Sequence, residues 1–440
     1  MCPNKLYPKQ YLSSIDVSLL RKLLRDHPSQ HLVEFLVSGF TAGFHTGIIH
    51  MPTGVLECKN LQTAMADPDA IDRLIQKEVD QGFVIGPFDT PPFAVWRTNP
   101  IGLVTGKSSN KQRLILDLSA PHASATPSLN SLIPSEEFSL QYATIDNAIM
   151  AILSAGIGAW LSKTDIVNAF KLLPIHPSLW HLHGVKWQEL YYFFMRLTSS
   201  SKSSPRIFDL FAETLCWILL NTCRCPTIIH YLDDFLSIES NLLPPSSLQA
   251  TTRLFTQLGV PISPTKREGP DTVINFLGVV LDSVHMQASL PREKIDGILA
   301  AIDFYLTEQS CSKKELQSLL GSLNFAMKMI PQGRAFISRL LSLFPRFQTD
   351  SSRIRLDVHA TADLRCGGSF YDTGMGRACS YQCYRMSLSL FGQMLRPLPV
   401  SPQFLAMNGC GATGQRKLRR YQSSRKRLLC LNFIPLLQQR

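Results

Sequence analysis

The chain has 440 residues, enough for more than one structural unit, and 45% hydrophobic with 18% charged residues is a globular composition. It has no apolar stretch that could cross a bilayer and no signal-peptide pattern, and its eleven cysteines show neither disulfide nor zinc-site spacing. We therefore expect an intracellular protein, of the cytoplasm or nucleus, and not a secreted or membrane protein. The net charge of +11 is weak evidence for a polyanion partner, because residues 373–440 hold eleven Lys or Arg and no Asp or Glu.

The first part of the chain predicts helices followed by short strands. Residues 1–60 form a mostly helical lead-in. Asp67-Pro68 is typical of a helix N-terminus, and apolar residues at helical spacing follow it until Gly82. Short apolar segments separated by Pro and Gly then predict strands, with the sequences FVIGPF, FAVWRT, IGLVTG and QRLILDLS.

The second part mixes helices with two acidic strand ends. A helix is predicted at about 144–155, before the strand AWLSKTDI, and another opens at Ser204-Pro205. The segment TIIHYLDDFLSI predicts a strand, a tight acidic turn and a strand. A Ser312-x-x-Glu315 capping box opens a helix within a helical bundle predicted at about 290–345. This order indicates an α+β core with a helical appendage.

The acidic turn Tyr231-Leu232-Asp233-Asp234 is the strongest chemical signal. Two adjacent carboxylates repel each other, and burial makes that repulsion costly unless a cation is present. A hairpin that presents both carboxylates is therefore suited to a hard cation such as Mg²⁺. A solvated acidic turn is the simpler interpretation. Asp165, at the end of an upstream apolar strand, could be an ordinary helix cap or a third ligand.

Asp165 is followed five positions later by Phe170, and this spacing, with the blocks around it, resembles the reverse transcriptase family. The matching blocks occur in the family's order over about residues 15–365. They are NPIGLVTGKSSNKQRLILDLS, LSKTDIVNAF, LTSSSKSSPRIF, YLDD, LGVPISPTKREGP and INFLGVVLD. The segments KNLQTA, GPFDTPPF and SKSSPRIFDLFAETLCWIL are most similar to retrotransposons of the DIRS type.

The resemblance implies a right-hand polymerase fold and a role for each motif. Asp165, Asp233 and Asp234 would hold two Mg²⁺ ions for nucleotidyl transfer, with the Ile166 carbonyl as an extra ligand. Lys107 and Arg113 would bind the nucleotide phosphates, or would be solvated hairpin charges. The other implied contacts are Lys266 near the leaving pyrophosphate and, at the primer end, Tyr231, Leu232, Phe276, Leu277 and Gly278.

Two further positions concern the incoming nucleotide. Phe170 would lie beneath its sugar and exclude a 2′-hydroxyl, which favours deoxynucleotides; the alternative is a core aromatic. Ser199 and Ser200 occupy positions where the family has an aromatic or polar residue and then Gly. If that turn needs positive φ, Ser200 is strained and activity is low. If φ stays negative, Ser is neutral. Both interpretations stand on the sequence.

The C-terminal segment departs from the family. SRIRLDVHATADLR resembles the start of a ribonuclease H-like region, but no carboxylate follows Asp372, so we expect no ribonuclease H activity. The predicted domains are a lead-in at 1–60, fingers and palm at 61–285, a helical thumb at 286–345, and at 346–440 a truncated ribonuclease H-like start with a basic, disordered tail.

The sequence thus predicts an RNA-directed DNA polymerase of a retroelement. Its partners would be an RNA or DNA template with a primer, deoxynucleoside triphosphates and two Mg²⁺ ions. The rivals are an RNA-dependent RNA polymerase, which Phe170 disfavours, and a catalytically impaired, nucleic-acid-binding remnant of a decayed element. The sequence does not determine the oligomeric state.

Overall fold

The computed structural model describes residues 13–106, 111–329, 337–349, 351–372 and 378–381. The chain forms two compact units that divide after Phe276. The basic cluster at 416–427 lies outside the described residues. No helix in the described part of the chain combines the length and apolar character that a membrane span requires.

The first unit mixes helices and strands, as the sequence predicts. Its helices are α1 (Val17–Leu23), α2 (Gln30–Ala42), α3 (Gln62–Ala66), α4 (Pro68–Asp80), α5 (Ile145–Ala155), α6 (Ser204–Asn221) and α7 (Ser247–Leu258). Its strands are β1 (Leu56–Glu57), β2 (Val84–Phe88), β3 (Arg97–Thr98), β4 (Ile101–Thr105), β5 (Gln112–Leu116), β6 (Trp160–Asp165), β7 (Gly184–Trp187), β8 (Leu190–Phe194), β9 (Ile228–Tyr231), β10 (Asp234–Glu239), β11 (Glu268–Asp271) and β12 (Val273–Phe276). The predicted strand FAVWRT is limited to its last two residues.

Local signals explain where the helices begin. The Asp67 side chain accepts a hydrogen bond from the Ala70 amide, and Pro68 occupies the first turn of α4, where its missing N–H costs nothing. Thr144 and Asn147 form a capping box at the start of α5. The N-terminal signal predicted at Asp67-Pro68 and the helix predicted at about 144–155 are therefore confirmed.

Two main sheets organise the first unit. A five-stranded sheet has the order β1-β3-β7-β8-β2, and a four-stranded sheet has the order β11-β6-β10-β9; β4 and β5 form a separate hairpin. Helix α6 packs against β9 and α7 packs against β6 and β10. The buried face of α6, with Phe208 and Phe211 wholly inaccessible, fills the core beneath this four-stranded sheet.

The second unit is built on two long helices. Its helices are α8 (Arg292–Glu308), α9 (Lys313–Met329), α10 (Ser338–Leu341) and α11 (Val358–Asp372), and its strands are β13 (Val279–Asp282), β14 (Gln287–Ser289), β15 (Ser310–Ser312), β16 (Arg353–Arg355) and β17 (Ala378–Ser380). The capping box is confirmed, since the Glu315 amide donates to Ser312 Oγ and the Ser312 amide donates to Glu315 Oε2. Residues 353–372, which the sequence groups with the tail, form β16, paired with β15, and α11, packed against α8.

Candidate active site

The candidate site lies at one end of the four-stranded sheet. Asp165 is the last residue of β6 and Asp234 is the first residue of β10, and the two are direct partners across the antiparallel pair. Tyr231 is paired with Asp234 across the β9–β10 hairpin, so Leu232 and Asp233 form a two-residue turn. The predicted strand, acidic turn and strand are therefore confirmed, and the three carboxylates come from adjacent strand ends.

Backbone hydrogen bonds hold this acidic turn against the end of β6. The Ile166 amide donates to the Asp233 carbonyl at 3.0 Å, and the Ser263 amide donates to the Asp165 carbonyl at 2.9 Å. Leu232 has a φ of +52°, a conformation that a tight hairpin requires and that costs a non-glycine residue roughly 1–2 kcal/mol. The surrounding strands thus impose a strained turn that fixes the position of Asp233.

Burial and mutual repulsion perturb the carboxylates. Asp165 is only 4% exposed. Burial, followed by the charges of Asp233 and Asp165, raises the pKa of Asp234 to about 6. Burial and the charge of Asp165 also raise the pKa of Asp233, although a hydrogen bond from its own backbone amide to the carboxylate lowers it. Two carboxylates with raised pKa next to the buried Asp165 favour the approach of a cation.

Lys266 supplies one cation at the site. Its Nζ lies 2.7 Å from Asp165 Oδ1, while 62% of the Lys266 side chain is exposed. The hydrogen bond to Asp165 is the main reason that the pKa of Lys266 is raised. The sequence resemblance placed Lys266 near a leaving pyrophosphate, and the structure brings it to the acidic cluster.

The fit to a metal ion rests on the chemistry of the donor set. Among the described residues, no three His, Cys, Asp or Glu side chains converge as a ready-made ligand cluster. Asp165 instead directs Oδ1 to Lys266. Burial and then mutual repulsion raise the pKa of Asp234 and Asp233, a cost that a bound cation would offset, and carboxylate oxygens are the ligands that Mg²⁺ prefers.

A cavity of about 260 Å³ adjoins Asp233. Phe170, Ser199 and Ser200, three of the residues that the sequence assigns to the nucleotide, line it. The Phe170 ring is partly buried and packs edge-on against Phe208, with 5.8 Å between ring centroids. Phe170 therefore both joins the core and forms a wall of the cavity. The remaining lining residues are Glu78, Leu114, Leu116, Asn168, Ala169, Lys171, Phe194, Leu197 and Thr198.

The turn at Ser199–Ser200 is not strained through its φ angles. Neither serine has positive φ, so the first of the two sequence interpretations is wrong for this structure. The Asn130 side chain fixes the turn: its Nδ2 donates to the Ser200 carbonyl at 2.9 Å and its Oδ1 accepts from the Lys202 amide at 2.9 Å. Thr198 and Ser200 also share a hydroxyl hydrogen bond of 2.9 Å. Serine fits here because the backbone stays at negative φ.

Of the two predicted phosphate ligands, the structure describes only Arg113. Lys107 lies outside the described residues. Arg113 is exposed in the middle of β5, opposite Val104. Since side chains alternate along a strand, Arg113 faces away from Leu114 and Leu116, which line the cavity. Their role in phosphate binding stays a prediction.

The predicted primer-contacting residues fall into two groups. Tyr231 is half-buried, and its ring lies 5.0 Å from that of Tyr142. Burial and then the charges of Asp233 and Asp234 raise the pKa of Tyr231. The second group is Phe276, Leu277 and Gly278. Phe276 is the last residue of the first unit, and the second unit begins with a tight turn in which Leu277 has a φ of +49° and Gly278 a φ of +74°.

Several residues that support the site carry little signal in the sequence. Asp209, on α6, is buried and receives hydrogen bonds of 3.1 Å from both Arg206 Nη1 and His230 Nε2. His230 directly precedes Tyr231, so this network holds the strand that leads into the acidic turn. Glu78 and Lys171 form an ion pair at the cavity. The sequence does carry one signal for Glu78, since it is a charged residue within the otherwise apolar face of α4.

Comparison with known proteins gives a consistent result. No protein-family model matches the chain. It is 26% identical over 191 residues to the Pro-Pol polyprotein of feline foamy virus. The aligned region covers 43% of this chain and 15% of the polyprotein. It is also 26% identical over 205 residues to the Pro-Pol polyprotein of simian foamy virus type 1, covering 43% of this chain and 16% of that polyprotein. The chain thus spans a small part of these relatives.

Solved structures share the fold. A foamy viral protease-reverse transcriptase in complex with an RNA/DNA hybrid matches with a TM-score of 0.57 and 19% identity over 81% of this chain and 46% of that chain. A foamy viral protease-reverse transcriptase in complex with double-stranded DNA matches with a TM-score of 0.52 and 19% identity. That match covers 83% of this chain and 72% of the other. The chain is therefore similar in sequence to part of the retroviral Pro-Pol polyproteins and similar in fold to protease-reverse transcriptases.

Proposed function

We propose that this chain is an RNA-directed DNA polymerase of a retroelement, which extends a primer 3′-end with deoxynucleoside triphosphates on an RNA or DNA template. The observation that carries the proposal is the register of Asp165 against Asp234, with Asp233 in the turn between β9 and β10 and beside the cavity. A cavity lined by an aromatic ring and hydroxyl groups beside carboxylates suits a nucleotide next to a cation.

Each residue would have a defined part in the transfer. When bound by Asp165, Asp233 and Asp234, two Mg²⁺ ions would favour ionisation of the attacking 3′-hydroxyl and offset the charge of the leaving pyrophosphate. Lys266 contacts Asp165 in the free chain, and it would leave Asp165 and bind the pyrophosphate during the transfer. Phe170 would contact the sugar, and Tyr231 the primer end.

The architecture in this proposal is that of a right hand. The four-stranded sheet with α6 and α7 would be the palm, the strands and helices before it the fingers, and α8 and α9 the thumb. The finer likeness to retrotransposons of the DIRS type rests on sequence segments such as KNLQTA and GPFDTPPF. Nucleic-acid binding is supported by the complexes in which the similar structures were solved.

A second candidate is a nucleic-acid-binding remnant without catalysis. The observation that favours it is the pairing of Asp165 with Lys266 in place of a three-carboxylate cluster. Primer extension separates the two: purified protein with Mg²⁺, one deoxynucleotide at a time, and the same primer on an RNA and on a DNA template. Template-dependent extension is the expected result. Binding of the primer–template without extension, over a range of Mg²⁺ and pH, would favour the remnant.

A further inference from the structure

Tyr142 extends a row of side chains that crosses the end of the four-stranded sheet. Asp165, Asp234 and Tyr231 are direct partners on β6, β10 and β9, so their side chains project from one face of the sheet. Tyr142 belongs to the segment that leads into α5, and its ring lies 5.0 Å from that of Tyr231, with 36° between the two planes. The row therefore consists of two carboxylates followed by two aromatic rings.

The face that carries this row is turned away from α6 and α7. His230 and Phe235 are partners on the same two strands, and both face these helices. The His230 ring lies 3.1 Å from a buried carboxylate of α6, and the Phe235 ring lies 5.2 Å from a phenyl ring of α7. Because side chains alternate along a strand, Tyr231 and Asp234 project from the opposite face. A primer end that reaches the carboxylates must therefore approach on the face that carries the two rings.

The exposure of Tyr142 indicates a contact with a partner. Its side chain is 41% exposed, although it lies against the half-buried Tyr231. Tyrosine is enriched at interfaces, because its ring contributes a large apolar area and its hydroxyl stays polar. In a nucleic-acid duplex the bases are stacked on one another, so an aromatic side chain reaches the sugars and the edges of the base pairs. Both offer apolar surface beside polar groups, which matches a tyrosine ring.

We propose that Tyr142, beside Tyr231, packs against the sugars of the last base pairs of the primer–template duplex and so contributes to duplex binding. The inference rests on the proposed function and adds a binding residue to it. Neighbouring strands are about 4.8 Å apart, so Tyr231 lies about one strand spacing from Asp234. The Tyr142 ring is 5.0 Å further along the row. Together these steps correspond to about three base pairs at roughly 3.4 Å each, counted from the primer end.

The test measures binding without chemistry. Fluorescence anisotropy with Mg²⁺ and no nucleotide gives the Kd of the full chain for a labelled primer–template and for the same template as a single strand. The variants are Tyr142→Ala, which removes the ring, and Tyr142→Phe, which keeps it. If Tyr142→Ala does not fold, Tyr142→Gln replaces it, since a polar side chain suits this exposed position. The control is Tyr191→Ala, which breaks another aromatic pair, with Trp96 at 5.3 Å on the five-stranded sheet.

The expected result is a Kd for the primer–template that is about tenfold higher in Tyr142→Ala, a size typical of an aromatic contact at the centre of an interface. Tyr142→Phe and the control should stay within about twofold of the wild-type chain, and the Kd for the single strand should not change in any variant.

Two outcomes would overturn the inference. One is an unchanged Kd for the primer–template in Tyr142→Ala, and the other is an equal loss for duplex and single strand, which would indicate a general defect. Primer extension by the wild-type chain, measured separately, decides the proposed polymerase activity. A chain that binds the duplex through Tyr142 but extends no primer would overturn that activity and leave this inference standing.

Discussion

Lys266 Nζ lies 2.7 Å from Oδ1 of the buried Asp165, so a lysine holds the carboxylate that a catalytic cation would have to share. Removal of this charge has two opposite consequences. Nearby carboxylates would bind a cation more tightly, because the competing positive charge is gone. The proposed contact to the leaving pyrophosphate would also be lost.

We therefore predict that Lys266→Met lowers the Mg²⁺ concentration for half-maximal extension and lowers kcat by about tenfold or more. The measurement is single-nucleotide extension over a series of Mg²⁺ concentrations. The control is Lys186→Met, whose lysine pairs with Glu57 at 3.0 Å on the five-stranded sheet. A higher Mg²⁺ requirement in Lys266→Met would contradict the competition between the lysine and the cation.

The raised pKa of Asp234, about 6, predicts a pH-dependent stability without metal. The folded chain keeps a proton on Asp234 that the unfolded chain loses, so this contribution is complete below about pH 4 and disappears as pH rises through 6. Asp234→Asn should therefore stabilise the metal-free protein at pH 8 by about 1–2 kcal/mol, allowing for partial solvent screening, and should have little effect at pH 4. Calorimetry in EDTA at both pH values measures this. A stabilisation that is larger at pH 4 would contradict the assignment.

The proposed role of Phe170 in excluding a 2′-hydroxyl can be tested separately from its packing in the core. We predict that Phe170→Val raises the ratio of ribonucleotide to deoxynucleotide incorporation by about tenfold or more, because the smaller side chain leaves room for a 2′-hydroxyl. The control is Phe208→Leu, which changes the ring that Phe170 contacts but not a cavity wall. If both variants shift the sugar ratio equally, or neither does, Phe170 is only a core residue.

The Ser199–Ser200 turn gives a prediction that the φ angles determine. Since Ser200 lies at negative φ and its carbonyl is bound by Asn130, glycine has no strain to relieve there. Ser200→Gly should leave kcat/KM for a deoxynucleotide unchanged within about twofold. By contrast, Asn130→Ala should lower kcat/KM, because the turn loses both hydrogen bonds that the Asn130 side chain makes to it. A several-fold gain in Ser200→Gly would restore the view that this turn is impaired.

The sequence could predict the acidic hairpin, its partner strand and most helix starts, because each depends on a local pattern. Asp67-Pro68 and the Ser312–Glu315 box are examples, since caps act within one turn. The family resemblance grouped Asp165 with Asp233 and Asp234, but the register that pairs Asp165 with Asp234 was not predicted, because strand pairing over such a separation has no local signature.

Other features depend on tertiary context. Positive φ at Ser200 was one of two interpretations of the sequence, but at the site it occurs at Leu232, where a two-residue turn joins β9 and β10. The Glu78–Lys171 pair joins residues far apart in the chain, and no spacing rule connects them. The family pattern stops within residues 358–372, in the region predicted as a truncated ribonuclease H-like start and tail, yet this segment is one helix in the second unit.

Asp233→Asn tests whether Asp165, Asp233 and Asp234 hold the catalytic cations. The measurement is single-nucleotide extension with Mg²⁺, paired with the Kd for the same primer–template. The control is Asp271→Asn, an exposed carboxylate on β11 of the same sheet. The account predicts that Asp233→Asn loses extension by about a thousandfold or more and binds primer–template within about threefold of wild type, while the control does neither. Extension by Asp233→Asn at a rate close to that of the wild-type chain would contradict it.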